Sequence, residues 1–387
     1  MIEVAAFVDW FLFGWAGLSV AYLIFFAFLA LRRSSVAYPR SGRKSRILVL
    51  FPAYKADRVI EGSIRSLLDQ DYPKEMYHTV VISDQMEPVT LQRLAGYPVE
   101  VLPIVNNART KARALQLAVE RLEPDSFDTV VVLDADNTVL PDFLSRINDA
   151  RQSGLQAMQG QRVAKNRDTA VAVLDAASEA MNHAFFRKGQ VRLGFSAALS
   201  GSGMAFNFRW FKENIGQVTT AGEDKELEAL LIRQGLFIDY LEDLLIFDEK
   251  TADSASFSRQ RRRWLAAQYG ILKKGVKDLP EALSNGNWDY CNKLFQWMML
   301  PRVLLLGMIF IISLVLSLLC WQWSLKWWLL LIGLGISFSA AIPDEMVDKR
   351  LKRALIKVPH LFVLMGINLF RMKGANRTFI HTRQHDN

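Results

Sequence analysis

Arg46-Ile47-Leu48-Val49-Leu50-Phe51-Pro52 and Tyr77-His78-Thr79-Val80-Val81-Ile82-Ser83-Asp84 are two short apolar runs, the first stopped by a proline and the second by a polar pair. Between them Val59, Ile60, Ile64, Leu67 and Leu68 recur at helical spacing and end at Tyr72-Pro73. Strand, helix and strand in that order predict a βαβ unit.

The same rhythm continues downstream. Val99 to Val105 supplies a third strand, and Lys111 to Leu122 a helix with Ala112, Leu115, Ala118, Val119 and Leu122 inward. Thr129 to Leu133 is a further, wholly apolar strand. Strands alternating with helices predict an α/β domain with a mostly parallel sheet and helices on both faces. Ligands of such sheets bind beyond the carboxyl ends of the strands. Asp84 and Asp134 are each the first acidic residue after a strand, so both belong to that rim. The segment 151–250 alternates less cleanly, with a helix over Thr169 to Lys188, a small-residue link at Ser200-Gly201-Ser202-Gly203, and a helix from Asp224 to Gln234.

The chain has 387 residues, 51% of them hydrophobic, and the apolar excess is concentrated at its two ends. Trp10 to Leu31 carries no charge and matches the ~20 residues that cross a hydrocarbon core of roughly 30 Å. Glu3 and Asp9 precede it and Arg32-Arg33 follow, the reverse of a cleaved signal peptide, so it reads as an anchor. Val303 to Gln322 and Trp327 to Ile342 read as a second and third span joined by the aromatic turn Trp321-Gln322-Trp323-Ser324. Basic residues follow span one, precede span two and follow span three. The positive-inside rule then predicts an integral cell-membrane (inner-membrane) protein, N-terminus outside, with region 32–302 cytoplasmic. Leu355 to Phe370, basic at both ends, reads as an interfacial or re-entrant helix. The resulting organisation is an anchor and basic linker over 1–45, a catalytic-type domain over 46–270, an interfacial linker over 271–302, a membrane hairpin over 303–343, and a basic helix and tail over 344–387.

The net charge of +8 is explained by these juxtamembrane clusters, which attract membrane lipids, and argues for no nucleic-acid partner. Cys291 and Cys320 give neither a disulfide framework nor a Cys-based metal site.

Three polar islands interrupt the soluble middle. Asp134-Ala135-Asp136 follows an apolar strand, and two carboxylates two residues apart at a strand end suit a hard divalent ion, or a solvated turn with Asn137. Gly222-Glu223-Asp224 opens a helix, where a carboxylate serves either as a base or as a simple cap. In Gln260-Arg261-Arg262-Arg263-Trp264 the residues Gln260, Arg263 and Trp264 share one helical face. An amphipathic membrane-surface helix carrying Arg259, Arg261 and Arg262 accounts for the same charges.

Taken in order from Leu48 to Trp264, these islands resemble the membrane-bound family 2 glycosyltransferases, the group of the cellulose, chitin and hyaluronan synthases. The resemblance implies a GT-A-like nucleotide-sugar-binding domain. Pro52-Ala53-Tyr54-Lys55-Ala56-Asp57 is similar to the family's Pro-x-Tyr-Asn-Glu-Glu, with Lys55 and Ala56 departing from it. It implies that Pro52 and Tyr54 meet the nucleotide, Tyr54 packing on uracil, while Asp84 accepts from the ring N–H. Asp134 and Asp136 match the D-x-D motif that holds Mg²⁺ or Mn²⁺ against the donor diphosphate, and Lys111 matches a helix-start Lys near the nucleotide. Gly222-Glu223-Asp224 resembles Thr-Glu-Asp, which makes Asp224 the catalytic base and sets Glu223 on the acceptor side. Gln260 and Arg263 would then hold the donor and Trp264 the acceptor sugar, as in Q-x-x-R-W. Gly203 falls in the glycine loop that lets an acceptor approach the backbone, and Phe379-Ile380-His381-Thr382-Arg383 resembles a C-terminal element of membrane relatives.

The activity implied by the resemblance is that of an inverting enzyme moving a sugar from a nucleotide diphosphate, a UDP-sugar above all, to a carbohydrate or lipid acceptor in polysaccharide or glycolipid assembly. Transfer to a polyprenyl phosphate and an inactive scaffold subunit are the alternatives. Three spans are few for an export channel, so a homo-oligomer or an export partner subunit is expected if the product is translocated.

Overall fold

The computed structural model describes residues 2–32, 37–104, 110–251 and 253–372; the Phe379 to Arg383 element lies outside them. Eight strands form one sheet: β1 (Ile47–Tyr54), β2 (Tyr77–Asp84), β3 (Glu100–Pro103), β4 (Thr129–Val132), β5 (Thr138–Val139), β6 (Ala157–Ala164), β7 (Met204–Asn207) and β8 (Ile238–Asp248). Their order is β3-β2-β1-β4-β7-β6-β8-β5. The first four are parallel, as the βαβ rhythm predicts. β7 runs antiparallel to both β4 and β6, and β5 antiparallel to β8, so the sheet is mixed. These reversals were not legible in the sequence, because strands paired across the irregular 151–250 region leave no local periodicity of their own pairing.

Alternation along β1 shows why every residue there is apolar. Leu48 and Leu50 pack with Leu115 and Val119 on one face, while Ile47, Val49 and Phe51 pack with Ile60, Ile64 and Leu67 on the other. β1 does not stop at Pro52 but continues to Tyr54. Its pairing with β4 ends at Leu50↔Val132, and beyond that point β1 is laddered on the β2 side alone, where a residue without an N–H is tolerated.

Among the described residues four helices are long and apolar enough to cross a membrane: Ala6–Leu31, Arg302–Leu319, Trp321–Ala341 and Lys349–Arg371. Two expectations change. The aromatic residues Trp321 to Ser324 form no turn; the chain bends at Cys320 and they open the next helix. Lys326 falls inside that helix because its charge is neutralised by Asp9 of the first, whose carboxylate also accepts from Trp327 Nε1 at 2.8 Å. The last apolar stretch also begins earlier than Leu355, since helical backbone starts at Lys349 and, through a tighter turn at Leu355–Lys357, continues to Arg371.

The α/β domain grips the first apolar helix tightly. A Cβ on Gly189 would meet the Phe26 carbonyl at 2.5 Å, and Tyr22 donates to Asn292 while accepting from Gln190 and Gln296. Phe185 packs into the same apolar cluster as Leu23, Leu305 and Trp327.

Candidate active site

Past the carboxyl ends of β1, β2 and β4 lies a cavity of about 1400 Å³. Pro52, Tyr54, Asp84, Lys111, Asp134, Asp136, Glu223, Asp224, Gln260, Arg263 and Trp264 all line it. Residues far apart in the chain are thus brought to one cleft.

Tyr54 and Asp84 are cross-strand partners at the ends of β1 and β2. Both strands then turn through left-handed backbone, at Lys55 (φ 49°) and Gln85 (φ 56°), and Lys55 N–H donates to the Asp84 carbonyl at 3.1 Å. Non-glycine residues rarely adopt such φ except Asn and Asp. The Asn for which Lys55 substitutes would sit there without strain.

Asp134 follows β4 in a tight turn: Asn137 N–H donates to the Asp134 carbonyl at 3.0 Å, and the Asp134 N–H donates to Asn137 Oδ1 and Ser202 Oγ. Turning so soon after the strand puts the carboxylates of Asp134 and Asp136 in the same cleft. They have different company. Lys111, at the start of the Lys111–Glu120 helix, donates to Asp134 Oδ1 and to the Gly201 carbonyl, each at 2.5 Å, and pairs with Glu223 at 3.4 Å. Burial opposes ionisation of Asp134, but Lys111 and then Arg162 hold its carboxyl below the usual value. Burial likewise works against the Lys111 ammonium, and Asp134 and Glu223 nonetheless keep it above the ordinary lysine range. Asp136 forms no ion pair among the described residues: burial, reinforced by Asp134 and Asp248, outweighs the pull of the more distant Arg162 and Lys165 and pushes it up to about 6. Burial also raises Glu223.

Asp136 therefore sits in a surplus of negative charge made of oxygen donors, which is what a hard divalent ion relieves. Among the described residues no group of three or more His, Cys, Asp and Glu is arranged as a metal cage. Two carboxylates with the remaining positions left to water and substrate phosphate are the donor set Mg²⁺ commonly takes.

Gly222-Glu223-Asp224 opens the Glu223–Arg233 helix. Gly stands where the family has Thr because the Ser254–Gly275 helix crosses there: a Cβ on Gly222 would lie 2.4 Å from Ala267 Cβ. This crossing fixes Asp224 against the helix that carries Gln260, Arg263 and Trp264. Gln260 Oε1 accepts from Thr251 Oγ1 at 3.5 Å, and the positive charge of Arg263 reaches Asp134.

Two residues stand elsewhere than the sequence reading put them. Gly203 does not line the cavity; with φ +65° it packs under Ile246, whose Cδ1 would be 2.6 Å from an added Cβ. Gly201 is the loop glycine at the site: also left-handed, with Glu223 Oε1 and Asp224 Oδ2 at 3.7 and 4.0 Å from where its Cβ would be. Arg261, a surface charge in the amphipathic-helix alternative, is turned inward. It lines the cavity, pairs with Asp175, and stacks on Trp264 at 4.3 Å and Phe257 at 4.7 Å.

Sequence reading also missed a second charged layer. Arg162 of β6 pairs with Asp248 at the end of β8 and donates to the Ser200 carbonyl at 2.9 Å, and Lys250 pairs with Asp248 at 3.0 Å. The signal was present: Asp248 ends the apolar run Leu244-Leu245-Ile246-Phe247 as Asp84 ends its own.

Residues 45–267 match the model of the glycosyltransferase-like family 2. The chain belongs to that family, with a GT-A-like α/β fold. An N-acetylglucosaminyltransferase of Rhizobium meliloti (strain 1021) is 23% identical over 239 residues, which are 57% of this chain and 55% of that protein, so the chain spans about half the length of this relative. Among solved structures, the mannosyltransferase PcManGT from Pyrobaculum calidifontis in complex with GDP-Man and Mn²⁺ superposes with a TM-score of 0.56 at 15% identity, covering 96% of this chain and 98% of that one. S. aureus TarS 1–349 in complex with UDP-GlcNAc gives a TM-score of 0.46 at 16% identity over 85% of this chain and 90% of that one.

Proposed function

We propose that the protein is an inverting glycosyltransferase at a membrane surface, moving a sugar from a nucleotide diphosphate, first of all a UDP-sugar, to a hydroxyl of a carbohydrate or lipid acceptor. The observation that carries this reading is that Asp134, Asp136, Asp224 and Arg263, from three separate segments, line one cavity beside a strand-end nucleotide-type rim. N-acetylglucosamine, from the name of the Rhizobium relative, is the donor sugar to test first.

Each residue then has a task set by its chemistry. Tyr54 and Asp84 take the base, and Lys111 and Arg263 draw toward the diphosphate, meeting its growing charge as the bond to the sugar breaks. Asp134 and Asp136 would hold Mg²⁺ or Mn²⁺, which when bound supplies further neutralisation of the leaving diphosphate. Asp224 accepts the proton of the acceptor hydroxyl as its oxygen bonds to the anomeric carbon from the face opposite the departing nucleotide. Glu223 is held away from that role by its ion pair with Lys111. Trp264, its face partly taken by Arg261, borders the acceptor end of the cavity. By the positive-inside rule this chemistry is cytoplasmic.

The test is Asp224→Asn. Transfer should fall by at least about 100-fold, as expected for loss of a general base, with UDP affinity unchanged. Wild-type turnover by Asp224→Asn would remove the assignment.

A further inference from the structure

The cavity does not end at the charged rim. It continues between the apolar helices, where Leu23, Leu305, Leu306, Phe338 and Val358 line it from four different helices and Ile342 from just past the end of one. A site for a water-soluble sugar alone has no use for such a wall.

Where the polar and apolar parts meet stands Arg302, the first residue of the Arg302–Leu319 helix. Its Nη2 donates to the Ser178 carbonyl (3.0 Å), Ser178 Oγ (3.1 Å) and Asn182 Oδ1 (2.8 Å), all neutral acceptors. Its Nη1 is shut off from solvent and meets no hydrogen-bond acceptor among the described residues. The guanidinium lies over the rings of Phe185 and Phe186 at 5.5 and 5.8 Å. Neighbouring cations are already spoken for, Arg187 by Glu179 at 2.9 Å and Arg261 by Asp175. Arg302 itself forms no ion pair among the described residues. A cavity-lining guanidinium whose desolvated Nη1 meets no acceptor among the described residues, and on which Glu179 acts only from beyond ion-pair distance, is poised to donate to an anion such as phosphate.

We propose that this chamber seats an anionic lipid as the acceptor: its hydrocarbon chain lies between the apolar helices, its phosphate-class group rests on Arg302, and its hydroxyl faces Asp224. The inference rests on the transferase reading above and narrows its acceptor to an amphiphile. A bilayer phospholipid offers the same headgroup chemistry, so the experiment separates the two sources.

The full-length protein is placed in phosphatidylcholine nanodiscs, and binding of decyl phosphate, decanol, inorganic phosphate and UDP is measured separately. Decyl phosphate should bind at least about tenfold more tightly than either decanol or inorganic phosphate, since both a charged hydrogen bond and a buried chain contribute. Arg302→Gln should weaken decyl phosphate at least about tenfold, Arg302→Lys less, and neither should change UDP affinity. Equal binding of decyl phosphate and decanol to the wild type overturns the proposal without recourse to a variant, should Arg302→Gln misfold. If exchanging phosphatidylcholine for phosphatidylglycerol abolishes decyl phosphate binding, the bilayer owns the site and the acceptor assignment is overturned. With radiolabelled UDP-GlcNAc and a membrane lipid extract, label should enter the organic phase on an anionic product; label that stays in water-soluble or neutral product overturns it. Failure of the wild type to bind UDP would instead sink the transferase reading.

Discussion

Gly222→Ala tests whether the crossing of two helices is what positions Asp224. An added Cβ would stand 2.4 Å from Ala267 Cβ, whereas apolar carbons approach to about 3.5–4.0 Å. Ala267 has no rotamer through which to yield, so the Glu223–Arg233 and Ser254–Gly275 helices must separate by ~1 Å or more. Overpacking of this kind costs about 1–3 kcal/mol, which in a domain of this size lowers the melting midpoint by about 2–4 °C per kcal/mol. Displacement of a base by ~1 Å costs on the order of 100-fold in rate. The informative comparison is the double variant with Ala267→Gly. The next atom a Gly222 Cβ would meet is Ala267 Cα at 3.6 Å, an ordinary contact. The second substitution should therefore recover most of the activity, even though glycine inside a helix costs about 1 kcal/mol. Part of the loss, from alanine as a poor helix cap, is independent of Ala267 and does not appear in the coupling. Melting curves and kcat/KM for UDP release across the four proteins give that coupling directly. Single variants that behave additively, or a Gly222→Ala enzyme with wild-type rate, would refute the crossing as the determinant of Asp224 geometry.

Gly203→Ala should lower the melting midpoint, by strain at φ +65° and contact with Ile246, while the acceptor KM of the folded enzyme stays unchanged because the residue is outside the cavity. A raised acceptor KM at normal stability would restore it to the acceptor site. Asp136→Ala should remove the metal dependence of UDP-sugar binding; in the wild type a chelator should weaken that binding, and equal affinity with and without chelator speaks against any metal role. His183 is buried, and burial lowers its imidazole below the ordinary 6.5 despite Glu179. The unfolded chain then binds the proton more readily, so stability falls as pH drops below about 6.5 and levels off below the folded value. His183→Gln should flatten that part of the stability profile measured by denaturation between pH 7 and pH 5, and an unchanged slope would assign it to other groups.

The strand-end carboxylates were legible because a wholly apolar run ending in an acid has few solutions other than a buried strand opening onto a rim. Asp248 obeys the same rule, but its strand belongs to the mixed part of the sheet, where the helix-strand rhythm fades. Gly201 and Gly203 are alike in sequence and both left-handed; which one faces the cavity depends on whether Ile246 or Asp224 lies opposite, and no local pattern encodes that.

Residue order alone was enough for the α/β class and the apolar helices at both ends, and it nominated the residue types of the candidate site, because these follow from local periodicity and from chemistry that few side chains can perform. The partnerships within the site needed the folded chain. Pairing energies depend on which charges meet after folding, so Lys111 with Asp134, Arg261 with Asp175 and the guanidinium of Arg302, without an ion pair among the described residues, become visible only when segments distant in the chain share one cavity.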